Sequence, residues 1–170
     1  MSALTVWKFN SPEGAQQAYE KLVGLSKQHL IEVGEAAIVS WPAGAKKPKT
    51  RQMQSMTGAG ALGGAFWGML FGLLFFIPFL GMAIGAAMGA LAGHFADYGI
   101  DDDFIKQVRA KVTEGTSALF LLTANTTVDK VANAFAGTPM ELIQSNLTQE
   151  QEDKLRAAFG EGEESTPAAE

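Results

Sequence analysis

Residues 60–93 read GALGGAFWGMLFGLLFFIPFLGMAIGAAMGALAG, and this stretch decides how the rest of the chain is interpreted. Glycine recurs at every fourth position in two runs, one on each side of a bulky apolar centre. A glycine inside a helix costs about 1 kcal/mol relative to alanine, while glycines at this spacing let helices approach backbone to backbone. We therefore predict helix-packing and oligomerisation positions at Gly60, Gly64, Gly68, Gly72, Gly81, Gly85, Gly89 and Gly93. The two runs could face each other within one hairpin or face neighbouring subunits, and the sequence does not distinguish these arrangements.

The same stretch has the length and composition of a helical hairpin inserted in a membrane. No charged side chain occurs from Gln52 to Gly93. Residues 57–77 and 79–98 each reach the length of about 20 residues that a membrane-crossing helix needs, with Pro78 as the turn. A buried glycine-rich helix pair in the core of a soluble protein is the alternative, which the length and uniform apolarity disfavour.

The turn of this hairpin has no polar side chain that could meet water on the far side of a bilayer. We therefore expect a tip that dips into the membrane from one side or meets other tips in an oligomer; a full crossing is the alternative. Trp67, in the first helix, would line a subunit contact or anchor at an interface. The expected membrane-inserted tip consists of Phe75, Phe76, Ile77, Pro78, Phe79 and Leu80.

We call the uncharged stretch from Gln52 to Gly93 the apolar segment. Basic residues precede it, at Lys46, Lys47, Lys49 and Arg51. Cytoplasmic loops next to membrane helices carry such an excess of positive charge, and cations near the surface attract anionic lipid headgroups. We expect these four side chains to contact headgroups, with a solvated linker as the equally weighted alternative. Because residues 1–9 lack the pattern of a signal peptide, both termini are expected in the cytoplasm, at the bacterial inner membrane.

The flanking regions have the patterns of an ordinary soluble domain. Strands are predicted at residues 4–9, 33–41, 117–123 and 140–145, and helices at 11–25, 101–112, 127–135 and 148–159, with Ser11 and Asp101 as N-caps and a capping box at Thr148. This order predicts an α+β fold, a ferredoxin-like split βαβ sheet interrupted by the hairpin. The expected divisions are 1–50 (first βαβ half and basic linker), 51–98 (hairpin), 99–160 (second half) and 161–170 (disordered acidic tail).

The composition limits the chemistry that the chain can perform. A net charge of −5 argues against binding to nucleic acid, and the absence of cysteine excludes thiolate chemistry and disulfides. His94 and Asp97 have no visible third metal ligand and suit a polar pair at a membrane boundary. Asp101, Asp102 and Asp103 lack the spacing of a calcium loop. We therefore predict no catalytic residue, cofactor or metal ion, and a protein that is not an enzyme.

Several stretches resemble the bacterial domain-of-unknown-function 1269 family. They are Lys46-Lys47-Pro48-Lys49, the Gly-Ala-Leu-Gly-Gly and Gly-Ala-Ala-Met-Gly-Ala-Leu-Ala-Gly runs, and Asp-Tyr-Gly-Ile-Asp-Asp-Asp-Phe at 97–104. The resemblance extends over residues 4–159 and is most distinctive at 98–102 and 115–122. It implies a membrane-associated protein with a ferredoxin-like soluble part, and it supplies no catalytic residue.

Two functions are compatible with this sequence. The first is a non-enzymatic membrane-associated protein that binds lipid, forms a homo-oligomer through its glycine-zipper hairpins, and organises or encloses lipid. The second is a membrane-anchored sensor or small-ligand-binding protein of the stress response, a hypothesis that depends on fold analogy alone. An oligomeric pore ranks last, because the hairpin offers almost no polar side chains to line a lumen.

Overall fold

The computed structural model describes residues 2–32, 34–53, 64–76 and 95–159. These residues form an α+β fold around one five-stranded antiparallel sheet. The strands are β1 (Ser2–Phe9), β2 (Glu35–Ser40), β3 (Lys49–Met53), β4 (Ser117–Ala124) and β5 (Glu141–Leu147). The helices are α1 (Gly14–Lys27), α2 (Gly64–Phe71), α3 (Asp102–Lys111), α4 (Asn125–Ala134) and α5 (Gln149–Phe159), and α2 continues into a π-helical turn at Gly72–Phe76.

The strands lie in the order β3-β2-β4-β1-β5, and every neighbouring pair is antiparallel. Without β3, this order interleaves two βαβ units, β1-α1-β2 and β4-α4-β5. The continuous apolar run at 117–123 forms β4, which is flanked by β2 and β1 and buried along almost its whole length. The prediction of a central strand at this place is confirmed.

Side chains of the sheet alternate between two hydrophobic layers, as the period of a strand requires. Trp7 and Phe9 point to the layer beneath α1 and α4, where the Trp7 and Phe135 rings meet edge to face at 5.7 Å. Leu4 and Val6 point to the opposite layer, which also contains residues of α2, α3 and α5. The long insertion between β3 and β4 therefore supplies helices that cover the second face of the sheet.

Helix starts agree with the sequence at two places and differ at one. Asp101 accepts a hydrogen bond from the Phe104 backbone N–H at 2.9 Å, as an N-cap does. Thr148 and Gln151 form the predicted capping box, with reciprocal bonds of 2.9 and 3.1 Å. The prediction for Ser11 is wrong: α1 begins at Gly14, and the Ser11 carbonyl accepts from the Gly14 N–H in a preceding turn.

The predicted basic linker contains the extra strand β3, which pairs with β2 from Lys49 opposite Ser40 to Met53 opposite Ala36. This strand lies at the edge of the sheet, where long cationic side chains remain solvated and discourage pairing with other chains. A charged stretch was therefore interpreted as a linker although its backbone belongs to the sheet.

Candidate interaction surface on the apolar segment

The described part of the apolar segment packs on the sheet through its bulky side chains. Trp67 is only 2% exposed, and its ring meets that of Phe120 on β4 edge to face at 6.4 Å. Phe71 meets the same ring at 5.2 Å, also edge to face. The buried apolar residues of this segment are Phe66, Trp67, Leu70, Phe71, Leu73, Leu74 and Phe75.

This placement corrects part of the interpretation from the sequence. Trp67 was expected at a subunit contact or a membrane interface, and it lies in the core of its own subunit. Within the described ranges, no helix is long and apolar enough to cross a membrane. α2 has eight residues, and the π-helical turn adds five. The second predicted helix, 79–98, falls largely outside the described residues.

The expected tip is only partly described. Phe75 is 3% exposed, and its ring meets Trp41 edge to face at 6.2 Å. Phe76 ends the π-helical turn. The remaining tip positions, Ile77 to Leu80, lie outside the described residues. Phe75 therefore points into the domain in this conformation.

Glycine occupies the side of the helical segment that faces away from the sheet. Gly68 in α2 is exposed, and Gly72 at the start of the π-helical turn is partly exposed. A Cβ atom built on either residue would meet no atom of the described residues within 4 Å. Gly68 and Gly72 thus form a face that no described residue covers, whereas Gly60 and the run from Gly81 to Gly93 lie outside the described residues.

A cation from another helix contacts the last described turn of the apolar segment. Arg109 on α3 donates from Nη2 to the Leu73 carbonyl at 2.7 Å and from Nε to the Leu74 carbonyl at 3.4 Å. Hydrogen bonds from a charged donor are stronger than those between neutral groups. Burial lowers the pKa of Arg109 from its usual value, but arginine stays protonated at every ordinary pH. The sequence carries no signal for this contact between distant residues.

We predict that Arg109→Met lowers the free energy of unfolding by about 1.5–3 kcal/mol, because hydrogen bonds from a charged donor are worth that much. Methionine keeps most of the aliphatic volume but cannot donate to the Leu73 and Leu74 carbonyls. Urea unfolding of the purified chain measures the loss, and Arg109→Lys, which retains a charged donor, should lose less. A change below about 0.5 kcal/mol, typical of neutral surface positions, would show that this contact is unimportant.

The four basic residues expected to contact lipid headgroups lie along the β2–β3 hairpin. Lys46 and Lys47 are exposed in its loop, and Lys49 and Arg51 are exposed on β3. Being two residues apart on one strand, Lys49 and Arg51 point to the same side of the sheet. Arg51 donates a hydrogen bond to Gln16 of α1, so that side is the α1 side. The hairpin is thus a basic edge next to the start of the apolar segment.

No candidate metal site is found among the described residues. Residues 2–32, 34–53, 64–76 and 95–159 contain no group of three or more His, Cys, Asp or Glu side chains that could hold a metal ion. His94 lies outside these ranges. Asp101 serves instead as the cap of α3, and Asp102 and Asp103 lie in its first turn, where negative charge stabilises a helix.

Comparison with known proteins identifies the family and goes no further. No curated protein and no solved structure matches the chain. A family model described as "Protein of unknown function (DUF1269)" matches residues 61–160, a narrower range than the resemblance at 4–159. The match contains most of the apolar segment, the turn at 97–100 and the whole second βαβ unit. Because it covers more than half of the 170 residues, the chain belongs to the DUF1269 family of proteins of unknown function.

Proposed function

We propose that the protein is a non-enzymatic, membrane-associated protein that self-assembles through the glycine face of its apolar segment. The observation that carries the proposal is the outward position of Gly68 and Gly72, with no atom of the described residues within 4 Å of where each Cβ would stand. Because the bulky side chains of α2 already pack on the sheet, the bare face is the side that a second helix can approach. Close backbone approach at such small residues is a common way for helices to associate in membranes.

The association with lipid is supported by the absence of charge from Gln52 to Gly93 and by the basic β2–β3 hairpin next to it. Under this proposal the basic β2–β3 hairpin faces the lipid headgroups of the inner leaflet, and the sheet domain lies in the cytoplasm. The assembled protein would organise or enclose lipid. Its partners are other copies of the chain and membrane lipid.

The proposal predicts that Gly68→Leu combined with Gly72→Leu dissolves the assembly without unfolding the domain. The leucine side chains would hold neighbouring helices apart, while nothing in the described structure of the subunit obstructs them. Leucine is also the better helix former, by about 0.5–1 kcal/mol per site. We expect self-association in detergent or lipid to weaken at least about tenfold, which is 1.4 kcal/mol, with the urea midpoint unchanged or raised. Light scattering with size-exclusion chromatography measures the particle.

Gly24→Leu is the matched control. Gly24 also lies inside a helix, α1, and a Cβ there would likewise meet no described atom within 4 Å. It should improve helix stability and leave the particle size unchanged. An unchanged size of the double variant would reject the proposal, and so would loss of assembly with Gly24→Leu as well, since that would show a non-specific effect.

A second candidate, a small-ligand-binding protein, is favoured by a groove of about 620 Å³ between α1 and the β2–β3 hairpin. This volume falls within the range of about 300–1,000 Å³ that small-molecule sites occupy. The groove lies on the opposite face of the sheet from α2, so ligand binding and self-assembly use different surfaces and are compatible in one protein.

A further inference from the structure

The groove beside α1 has walls of opposite charge. Glu20 of α1 and Glu13, the residue just before α1, line one wall, and Lys49 and Arg51 of β3 line the other. All four side chains are exposed. Helical periodicity places residues seven apart on one face of α1, and strand periodicity places residues two apart on one face of β3. Each wall therefore presents two like charges to the same space.

The two walls are not joined by ion pairs. Those found among the described residues lie on β1, β5, α3 and α5, and none of them crosses the groove. Ile38 and Ser40 of β2 also line the groove. Opposite charges that line one cleft without pairing with each other favour a molecule that brings both counter-charges with it.

One neutral side chain shows the polarity that such a molecule would need. The amide of Gln16 donates from Nε2 to Glu20 Oε2 at 3.0 Å, and its oxygen accepts a hydrogen bond from Arg51. The acceptor oxygen of Gln16 therefore points to β3, and its donor nitrogen points to Glu20 on α1. A ligand with an anionic group toward Lys49 and Arg51 and an ammonium group toward Glu13 and Glu20 would repeat this arrangement with full charges, which strengthens each hydrogen bond.

We propose that this groove binds a zwitterion, a small molecule that carries an ammonium group and a carboxylate or phosphate. The inference rests on the second candidate function and names its ligand class. Two sources share this chemistry: free amino-acid-like metabolites, and the phosphoethanolamine headgroup of a lipid. The groove lies beside β3, which leads directly into the apolar segment, so both sources are within reach of the site.

The test is calorimetric titration of the full-length protein in detergent with 4-aminobutyrate and with O-phosphoethanolamine. Ethanolamine and inorganic phosphate, each carrying one of the two charges, are the control probes and should bind at least about tenfold more weakly. Glu20→Gln and Lys49→Gln should each weaken zwitterion binding about tenfold, because each removes one counter-charge. Lys130→Gln, at an exposed position of α4 outside the groove, should leave it unchanged.

The source of the ligand is assigned by a second arm with vesicles of phosphatidylethanolamine or phosphatidylglycerol. Binding of a soluble probe that depends on Glu20 and Lys49 assigns a free metabolite. Preference for phosphatidylethanolamine vesicles that both substitutions abolish, without binding of soluble probes, assigns a headgroup. The proposal is overturned when neither is seen up to about 10 mM, where even a millimolar site is occupied, or when neither substitution matters. Particle size is measured separately, so failure here leaves the self-assembly proposal standing.

Discussion

Trp67→Ala is expected to lower the free energy of unfolding by about 3–5 kcal/mol, the usual cost of removing a fully packed aromatic side chain. Trp67 lies against Phe66, Phe71 and Phe120, and alanine would leave a cavity between the apolar segment and β4. For a domain of this size the melting temperature should fall by about 6–20 °C. Urea and thermal unfolding, followed by circular dichroism, measure both quantities.

The matched variant is Trp67→Phe. The indole Nε1 of Trp67 is buried without a hydrogen-bond partner among the described residues, and an unsatisfied buried donor costs about 1–3 kcal/mol. Phenylalanine removes this donor and keeps most of the packing, so its net effect should stay within about 1 kcal/mol of zero. A large loss with alanine and a small one with phenylalanine would establish that packing on the sheet is what matters.

The same pair of variants tests whether residues 64–76 stay packed on the sheet when the protein is in a lipid bilayer. If residues 64–76 leave the sheet when the protein meets a membrane, Trp67→Ala should destabilise the domain in lipid-free buffer or mild detergent and have little effect in bilayers. An unchanged unfolding free energy under all conditions would contradict the packing of Trp67 on Phe120.

Gly99→Ala is expected to lower the free energy of unfolding by about 2–5 kcal/mol. Gly99 has φ +91°, and a left-handed conformation costs a residue with a Cβ about 1–2 kcal/mol. The added Cβ would also lie 2.9 Å from Gln151 Oε1 and 3.1 Å from the Asn146 carbonyl oxygen. Such overpacking typically costs about 1–3 kcal/mol. Urea unfolding measures the sum.

Gly137→Ala separates the two contributions. Gly137 has φ +88°, but a Cβ there would meet no described atom within 4 Å. Its replacement should therefore cost only the conformational part, about 1–2 kcal/mol. Equal losses at the two positions would show that the close approach of Gly99 to β5 and α5 contributes nothing. A larger loss at Gly99 would show that this turn must lie tightly against the sheet.

This result would explain the most distinctive part of the family resemblance in structural terms. In the stretch Tyr98 to Asp102, Tyr98 and Ile100 are buried, Gly99 makes the close turn, and Asp101 caps α3. The Ser145 hydroxyl donates to the Gly99 carbonyl. These contacts connect the apolar segment to the sheet domain. The residues of this stretch therefore have structural roles.

The sequence predicted the elements whose signals are local. The apolar run of β4, the Asp101 cap and the Thr148 capping box depend on residues that are close in sequence. The position of α2 could not be predicted in the same way, because Trp67 and Phe71 are equally apolar whether they meet lipid or Phe120. For the same reason Arg109 was missed: its acceptors are carbonyls of Leu73 and Leu74, and no pattern of residue types indicates them. β3 was missed because exposed charges on an edge strand have the composition of a linker.

The order of the strands has a consequence for synthesis of the chain. β1 pairs with β4 and β5, and Phe120, the ring that meets Trp67 and Phe71, belongs to β4. At about 5–20 residues per second, the ribosome therefore exposes the glycine-rich stretch seconds before its docking surface exists. During that interval the apolar side chains of the nascent chain are accessible at the exit tunnel to a targeting factor, a chaperone or a lipid bilayer. The order of synthesis therefore lets other surfaces compete with β4 for contact with this stretch.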